Sequence, residues 1–369
     1  MDKKCLLIYH KEDNDGVFSG ALLYDYLIST MKYNSENIVC MGSEYNELAN
    51  FAKENDVEDL HKEYDKIIMT DISFNDPKYM KKLWEEFKYD FIWCDHHAPI
   101  IKASFENKFD DVPGVRDTQR SAILCVWKYL YDTFDEAYNN IERNKPIYED
   151  GNFPELFRVL SGWDSWSYER EGYSFDYVRN VNKGVTFKYK LDFNKVYELV
   201  KLIRLCYVHD EHDFHTMNGR IGFYMLIDEM REIGETLNAY DDQTMEQIIR
   251  YNGDCSWKII TDNMPDGNTT WRPACAIFHQ GATNSTMFKS LNGNGMNIMN
   301  GIVFKHAKNG NWTVSVYNIR DNEPTPECGG FHCGDFCKKH YNGGGHAGAA
   351  GFTITEEQFI KILKNKQLG

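Results

Sequence analysis

The sequence predicts an α/β protein whose first part is built on a parallel β-sheet. Three short apolar stretches, at residues 4–10, 66–71 and 91–94, predict buried strands, and segments with helical spacing separate them. Strands that are apolar on both faces are typical of parallel sheets covered by helices on both sides. Each stretch ends in, or is followed by, aspartate or histidine. Because ligands bind beyond the carboxyl ends of such strands, the sequence predicts a polar site at that edge.

The elements of the first part alternate between strand and helix. This alternation indicates a parallel sheet with right-handed crossovers. In chain order after the first strand, we predict a helix over 17–31, a strand over 37–41, a helix over 44–55, the strand ending at Asp71, a helix over 77–88, the strand ending at Cys94, a loop-rich segment over 98–118 and a helix over 119–134.

The pattern changes near residue 255. Residues 170–254 are predicted to be mainly helical, with breaks near Gly184 and at 209–215. Beyond them we predict strands over 257–260, 274–278, 299–305, 312–319 and 351–354, and helices over 281–291, 331–340 and 356–364. The sequence thus predicts three parts, which are a catalytic domain over 1–208, a helical connector over 209–254 and a smaller mixed-sheet α/β domain over 255–369.

Composition restricts the partners of the chain. The formal net charge of −15 disfavours long nucleic acid, which usually requires a basic stripe, but leaves room for a short oligonucleotide or a small nucleotide. The sequence has no run of about 18 apolar residues and no long apolar stretch at its start, so we expect a cytoplasmic protein without a membrane partner. A homodimer is compatible with the sequence.

Acidic and imidazole side chains follow the three predicted strands. Asp13 and Asp15 follow the first, Asp71 ends the second, and 95–97, Asp-His-His, follow the third. Like charges this close repel strongly unless a cation lies among them. Asp and neutral His are good ligands for Mn²⁺-type or Zn²⁺-type ions. The alternative for 95–97 is a capping aspartate followed by two surface histidines.

The order of these motifs resembles that of the DHH phosphoesterase superfamily. The matching residues are Asp-x-Asp-Gly-x-x-Ser at 13–19, the strand-borne Asp71 and Asp-His-His at 95–97. A second stretch, Gly-Gly-Gly-His-Ala-Gly-Ala-Ala-Gly at 343–351, is similar to the signature of the associated DHHA1 domain. The resemblance covers residues 4–165 and 255–366. It implies a DHH domain followed by a DHHA1-like substrate-binding domain.

The resemblance implies a Mn²⁺-dependent phosphoesterase or phosphodiesterase. Members with a DHHA1-type domain cleave short oligoribonucleotides, cyclic dinucleotides or 3′-phosphoadenosine 5′-phosphate. One alternative is an inorganic pyrophosphatase or polyphosphatase, although that branch has a different second domain without Gly-Gly-Gly-His. A second alternative is a non-catalytic nucleotide-binding sensor, although such a protein need not keep the full acidic set.

The resemblance also implies two divalent ions, usually Mn²⁺, with Mg²⁺ or Co²⁺ as other candidates. The implied ligands are His10, Asp13, Asp15, Asp71, His96 and Asp164. Asp71 would bridge the ions, Asp13 and Asp164 would serve one of them, and Asp15 and His96 would serve the other. His10 stays open as a ligand, because it lies three residues before Asp13, whereas several branches have a histidine four residues before the first aspartate and others have none there.

The same resemblance implies roles for further residues. Asp95 would orient a histidine, and His97 would hold the phosphate or protonate the leaving oxygen. In the second domain the substrate would be held by Arg320, Gly343, Gly344, Gly345 and His346. Three glycines also permit positive φ and close approach of backbone N–H groups to an anion.

Several other residues have two interpretations. Asp164 is either a loop-borne ligand flanked by aromatics or a helix cap between two core tryptophans. Ser121 is interpreted as a helix entry, and Arg116 and Arg120 as surface cations or phosphate contacts. A zinc site is conceivable at the Cys- and His-rich segment 328–340, although its spacing fits no standard finger. The His- and Asp-rich segment 209–215 is interpreted as a solvated loop.

Overall fold

The computed structural model describes residues 4–138, 153–208, 217–263, 269–281, 285–291, 298–319, 331–345 and 348–369. The chain divides into two compact units, Met1–Leu237 and Asn238–Gly369. None of the helices in these described ranges combines the length and the apolar character that a membrane span requires.

The first unit contains the predicted parallel sheet. Its strands are β1 (Cys5–His10), β2 (Ile38–Ser43), β3 (Lys66–Thr70) and β4 (Phe91–Cys94). They lie in the order β2-β1-β3-β4, and every neighbouring pair is parallel. Tyr9 pairs with Thr70, and Thr70 pairs with Cys94. The residues that follow these three, His10, Asp71 and Asp95, therefore leave the sheet at the same edge, as the sequence predicts.

Helices cover both faces of this sheet. Their bounds are α1 (Asn14–Ser29), α2 (Tyr45–Glu54), α3 (Val57–Glu63), α4 (Pro77–Phe87), α5 (Ala98–Asn107), α6 (Ala122–Tyr138), α7 (Glu155–Asp164), α8 (Phe175–Tyr189), α9 (Phe193–Val208) and α10 (Met217–Asn252). Strand residues alternate between two cores, since Leu7 packs in one cluster and Leu6 and Ile8 in the other. The boundary between the two units falls within α10.

Two sequence predictions for this unit are wrong. The segment predicted as loop-rich contains α5, which begins with a proline in its first turn, where a missing backbone N–H costs nothing, and which buries Ile100. The predicted break near Gly184 is absent, because α8 continues through it. The glycine serves a close approach instead, since a Cβ at Gly184 would lie 1.8 Å from the backbone oxygen of Met230 in α10. A Cβ at Gly234 in α10 would likewise lie 1.8 Å from the backbone oxygen of Asn180 in α8.

The second unit is built on a mixed sheet, which confirms the predicted fold class. Its strands are β5 (Asp254–Asn263), β6 (Thr269–Phe278), β7 (Asn300–His306), β8 (Trp312–Asn318), β9 (Gly344–Gly345), β10 (Ala349–Ile354) and β11 (Gln367–Leu368). They lie in the order β11-β5-β6-β7-β8-β10-β9, and the pairs β6–β7 and β11–β5 are parallel. Helices α11 (Cys333–Tyr341) and α12 (Glu356–Asn365) contribute to one core cluster, and the 3₁₀ helix Ser285–Leu291 contributes to another.

The glycine-rich segment is partly a strand and not only a loop. Gly344 and Gly345 pair with β10 as the edge strand β9. Gly345 has a positive φ of 141°, whereas the φ of Gly344 is not positive. A Cβ at Gly345 would also lie 2.6 Å from the backbone oxygen of Ala349, and a Cβ at Gly344 would meet nothing within 4 Å.

A side chain at Gly345 should therefore destabilise the fold, whereas one at Gly344 should not. We expect Gly345→Ala to destabilise the protein by about 1–3 kcal/mol, because alanine is strained at this φ and its methyl group collides with backbone. Gly344→Ala, the matched control, should change the free energy of unfolding by less than about 0.5 kcal/mol. Urea denaturation of both variants measures the difference. Equal losses in the two variants would contradict this account.

Candidate metal centre

The carboxyl edge of the first unit's sheet brings together six of the residues that the sequence singles out. His10 ends β1, Asp71 follows β3, and His96 lies just beyond β4. Asp13 is the N-cap of α1, where its Oδ1 accepts a hydrogen bond from the backbone N–H of Gly16 at 2.9 Å. The remaining two are Asp15, in the first turn of α1, and Asp164, the last residue of α7.

His10, Asp13 and Asp71 form the first potential ligand group. The Nδ1 of His10 lies 3.1 Å from Oδ2 of Asp13 and 3.5 Å from Oδ2 of Asp71. Burial alone would lower the pKa of His10, but its contacts with Asp13 and Asp71 raise that pKa to about 10. One potential ligand atom from each residue lies within 4.8 Å of the others, so the group could hold a metal ion.

Asp15, His96 and Asp164 form the second group. The Nε2 of His96 lies 3.3 Å from Oδ2 of Asp164 and 3.9 Å from Oδ2 of Asp15. The same Nε2 lies 3.2 Å from Oδ1 of Asp71. Asp71 therefore directs one oxygen to the histidine of each group, which is the arrangement that a shared ligand needs.

The structure groups Asp164 differently from the expected pairing with Asp13. It lies with Asp15 and His96, because the end of α7 directs its carboxylate to the imidazole of His96. Asp164 is also neither loop-borne nor a helix N-cap, since it is the last residue of a helix. The alternative of two surface histidines is wrong for His96, whose side chain is 12% exposed.

Burial makes these carboxylates unfavourable as isolated charges. Burial raises the pKa of Asp71 well above its usual range, and repulsion from Asp15 and Asp13 adds to the effect. The pKa of Asp164 is likewise raised well above its usual range by burial and by repulsion from Asp15. Among the described residues, no hydrogen-bond donor satisfies Oδ1 of Asp71 or Oδ2 of Asp164. Buried, unpaired carboxylate oxygens beside imidazole nitrogens fit a divalent cation that prefers mixed oxygen and nitrogen ligands.

The start of α6 holds Asp15 in place. Its Oδ1 accepts from the Ser121 hydroxyl at 2.7 Å and from the backbone N–H of Ile123 at 2.8 Å, and its Oδ2 accepts from the backbone N–H of Ala122 at 2.7 Å. The two backbone donors are N–H groups that the first turn of a helix leaves without an intrahelical partner, and a helix N-terminus favours negative charge. Sequence reasoning treats Ser121 only as a helix entry and misses its bond to Asp15, because the partner lies 106 residues away.

Asp95 orients His97. The fully buried carboxylate accepts from the backbone N–H groups of His96 and His97 at 2.7 and 3.1 Å and contacts Nδ1 of His97 at 2.7 Å. Its other oxygen accepts from the indole N–H of Trp93 at 3.0 Å. Burial alone would raise the pKa of Asp95, but the bonds from His97 hold that pKa below its usual value. His97, whose second ring nitrogen stays available, also belongs to a potential ligand group with Asp71 and His96.

Asp71 has a left-handed backbone, with φ at 56°. For a residue other than glycine this conformation costs about 1–3 kcal/mol and persists where the surroundings determine it. Its backbone N–H donates to the backbone oxygen of Cys94 at 3.1 Å, so the turn out of β3 stays attached to β4. Backbone strain at Asp71, which contacts the histidine of each group, is typical of a functional site.

The other polar candidates lie elsewhere or outside the described residues. Arg116 donates to the backbone oxygens of Trp93 and Asp110, both at 3.0 Å, and so supports the loop after β4. Arg120 stacks on the ring of Phe153. The potential metal groups found in the described part of the chain include none of His332, Cys333, Cys337 and His340, and Cys333 and Cys337 pack in the core. Cys328, Arg320, His346 and the segment 209–215 lie outside the described residues.

The first unit combines a parallel sheet with six Asp and His side chains at its carboxyl edge, and the mixed-sheet unit follows it. The motifs that carry the resemblance to the DHH phosphoesterase superfamily in the first unit therefore lie together at one edge of its sheet. No family model matches the chain, and no curated protein is similar to it in sequence.

Several solved structures resemble this chain along nearly its whole length, and three of them follow. The pGpG-specific phosphodiesterase PggH from Vibrio cholerae has 12% identity and a TM-score of 0.45, covering 98% of this chain and 97% of that one. An exopolyphosphatase-related protein from Bacteroides fragilis has 14% identity and a TM-score of 0.41, covering 99% and 91%. Exonuclease RecJ bound to manganese has 12% identity and a TM-score of 0.44, covering 99% and 89%. At these values the likenesses carry no inference about activity.

The bond from Ser121 to Asp15 leads to a test of metal binding. We expect Ser121→Ala to weaken Mn²⁺ binding about tenfold, because groups that orient a ligand typically contribute 10- to 100-fold in affinity. Ser104→Ala is the matched control, since Ser104 is equally buried and donates to the backbone oxygen of Ile101 at 2.7 Å in α5. Isothermal titration calorimetry measures both variants. The same affinity in both would show that Ser121 is only a packing residue.

Proposed function

We propose that the protein is a metal-dependent phosphoesterase that hydrolyses phosphodiester or phosphomonoester bonds of short oligonucleotides or small nucleotides, cyclic dinucleotides included. The observation that carries the proposal is the pair of Asp and His groups that share Asp71. Two such groups at the carboxyl edge of a parallel sheet are suited to a pair of ions acting on a phosphate ester.

Six residues would hold the ions. One ion would be held by His10, Asp13 and Asp71, and the other by Asp15, His96, Asp164 and the second oxygen of Asp71. The carboxylate-rich set favours Mn²⁺ or Mg²⁺, and the two imidazoles favour Mn²⁺ or Co²⁺ over Mg²⁺. When bound, such ions lower the pKa of a water molecule and neutralise charge on the phosphate and the leaving oxygen.

His97 is the residue of the chain that is best placed to handle a proton. Asp95 contacts Nδ1 of His97 at 2.7 Å, which fixes the ring and leaves Nε2 for the substrate. Although burial alone would lower the pKa of His97, the hydrogen bond to Asp95 raises it, so the ring is suited to donating a proton. Its role would be to hold a phosphate oxygen or to protonate the leaving oxygen.

The preference for nucleotides rests on the second unit. Gly343, Gly344 and Gly345 belong to the DHHA1-like signature, which the pyrophosphatase branch lacks. The net charge of −15 agrees with a short substrate, since a long one would require an extended basic surface. Within this proposal, the glycine-rich segment, Arg320 and His346 bind the substrate.

A substrate screen tests the proposal directly. With Mn²⁺ we expect hydrolysis of at least one of pApA, a cyclic dinucleotide and 3′-phosphoadenosine 5′-phosphate, at a rate above that of pyrophosphate, because the glycine-rich signature of the second unit resembles that of members that cleave nucleotides. Activity should be lost in chelator and return with Mn²⁺. Faster cleavage of pyrophosphate would favour the phosphoanhydride hydrolase, and metal-free protein with full activity would contradict the proposal.

The shared ligand gives a second test. We expect Asp71→Ala to lower kcat by at least about 10³-fold while the fold persists, because one carboxylate serves both ion positions. Asp90→Ala is the control, since Asp90 lies beside the start of β4, where its carboxylate pairs with Lys66 at 2.6 Å. Steady-state kinetics, elemental analysis and circular dichroism report activity, metal content and folding. A kcat within tenfold of wild type, with unchanged metal content, would refute the role of Asp71.

A further inference from the structure

An exposed tryptophan lies two residues beyond a residue of the metal centre. Asp164 ends α7, and Trp166 follows in the segment before α8. Trp166 is 50% exposed and has a left-handed backbone, with φ at 56°. A bulky aromatic residue rarely adopts this conformation, in which glycine would be unstrained. A strained backbone at a half-exposed tryptophan beside the metal centre is therefore a feature that a functional role would explain.

Trp166 belongs to a small aromatic surface with Trp163 and Phe175. The ring centroids of the three pairs lie 5.8, 5.9 and 6.3 Å apart, and the ring planes differ by only 20–35°. Three nearly parallel rings at similar mutual distances form a triangle, because the outer rings of a stacked column would lie about twice as far apart. Trp166 is therefore not enclosed between the other two rings, and half of its surface is exposed.

The aromatic surface adjoins the metal centre. Trp163 lines a cavity of about 150 Å³ together with Asp13, Asp15 and Asp164. Trp166 lies 6.3 Å from Trp163, measured between ring centroids. The ring of Trp166 therefore lies next to a residue that lines the cavity of the metal centre.

We propose that Trp166 is a stacking platform for a nucleobase of the substrate whose phosphate lies at the metal centre. The inference rests on the proposed function and adds to it how the substrate is recognised, because it assigns recognition of the base to the first unit. Stacking on an aromatic ring accepts any base, since every base has a π-face. Trp166 therefore selects nucleotides over phosphates that have no base, with little preference for the identity of the base.

A double-mutant cycle between Trp166 and the bases tests this assignment. KM and kcat are measured with Mn²⁺ for pApA and for two analogues in which one or the other adenine is replaced by hydrogen. The proteins are wild type, Trp166→Gly and Trp166→Tyr. Glycine adopts the left-handed backbone without strain and so keeps the chain path after Asp164 while removing the ring. Tyrosine keeps an aromatic ring.

In wild type, removal of one of the two adenines should raise KM about tenfold. In Trp166→Gly, KM for pApA should already be raised by this factor, and removal of the same adenine should change it less than about twofold. Trp166→Tyr should restore most of the wild-type dependence. The Mn²⁺ content per chain should be equal in all three proteins. Tyr89→Ala, which removes an 80% exposed aromatic ring beside Trp84, should behave as wild type.

The outcomes separate this inference from the proposed function. If wild type cleaves pApA and the effect of each adenine is as large in Trp166→Gly as in wild type, stacking is refuted and the phosphoesterase stands. If Trp166→Gly loses Mn²⁺ and lowers kcat equally for the three substrates, Trp166 only positions Asp164, which also overturns the inference. If wild type cleaves neither pApA nor its analogues, the proposed dinucleotide activity fails, and base stacking fails with it.

Discussion

The central constraint on the first unit is electrostatic repulsion between carboxylates that are buried at the carboxyl edge of its sheet. Repulsion from Asp15 raises the pKa of both Asp71 and Asp164, beyond the larger effect of burial. Such groups can be ionised together only when positive charge lies among them. His10 and His96 supply part of that charge, and a bound cation would supply the rest. Metal binding and the stability of this edge of the sheet are therefore coupled.

The residues around the ligands share a second task, which is to hold the ligands in position. Asp15 is fixed by three donors at the start of α6, and Asp13 is fixed by the first turn of α1. Asp71 is fixed by its strained backbone and its attachment to β4. Each of these constraints comes from an element that begins or ends at the carboxyl edge. The geometry of the site thus depends on where these elements begin and end.

The sequence predicts the strands and the common edge of the first unit because apolar runs and the polar residues after them are local signals. It fails where a neighbour decides the outcome. Gly184 looks like a helix break, but the glycine is there to admit the backbone of α10. Ser121 looks like a helix entry, and only the fold brings Asp15 to it. The grouping of Asp164 with His96 likewise depends on how α7 reaches the sheet edge, which no spacing in the chain reveals.

The contact between α8 and α10 has a particular consequence for the metal centre. At Gly184 and Gly234 the two helices meet backbone to backbone, so no side chain there could change rotamer to absorb a shift. Asn182 and Thr186 lie one turn or less from Gly184 in α8, and both accept hydrogen bonds from the Asn14 side chain, at 2.7 and 2.8 Å. Asn14 lies in the sequence between the potential ligands Asp13 and Asp15. The helix pair is thus a firmly packed support, and through Asn14 it holds the first turn of α1, where Asp13 and Asp15 lie.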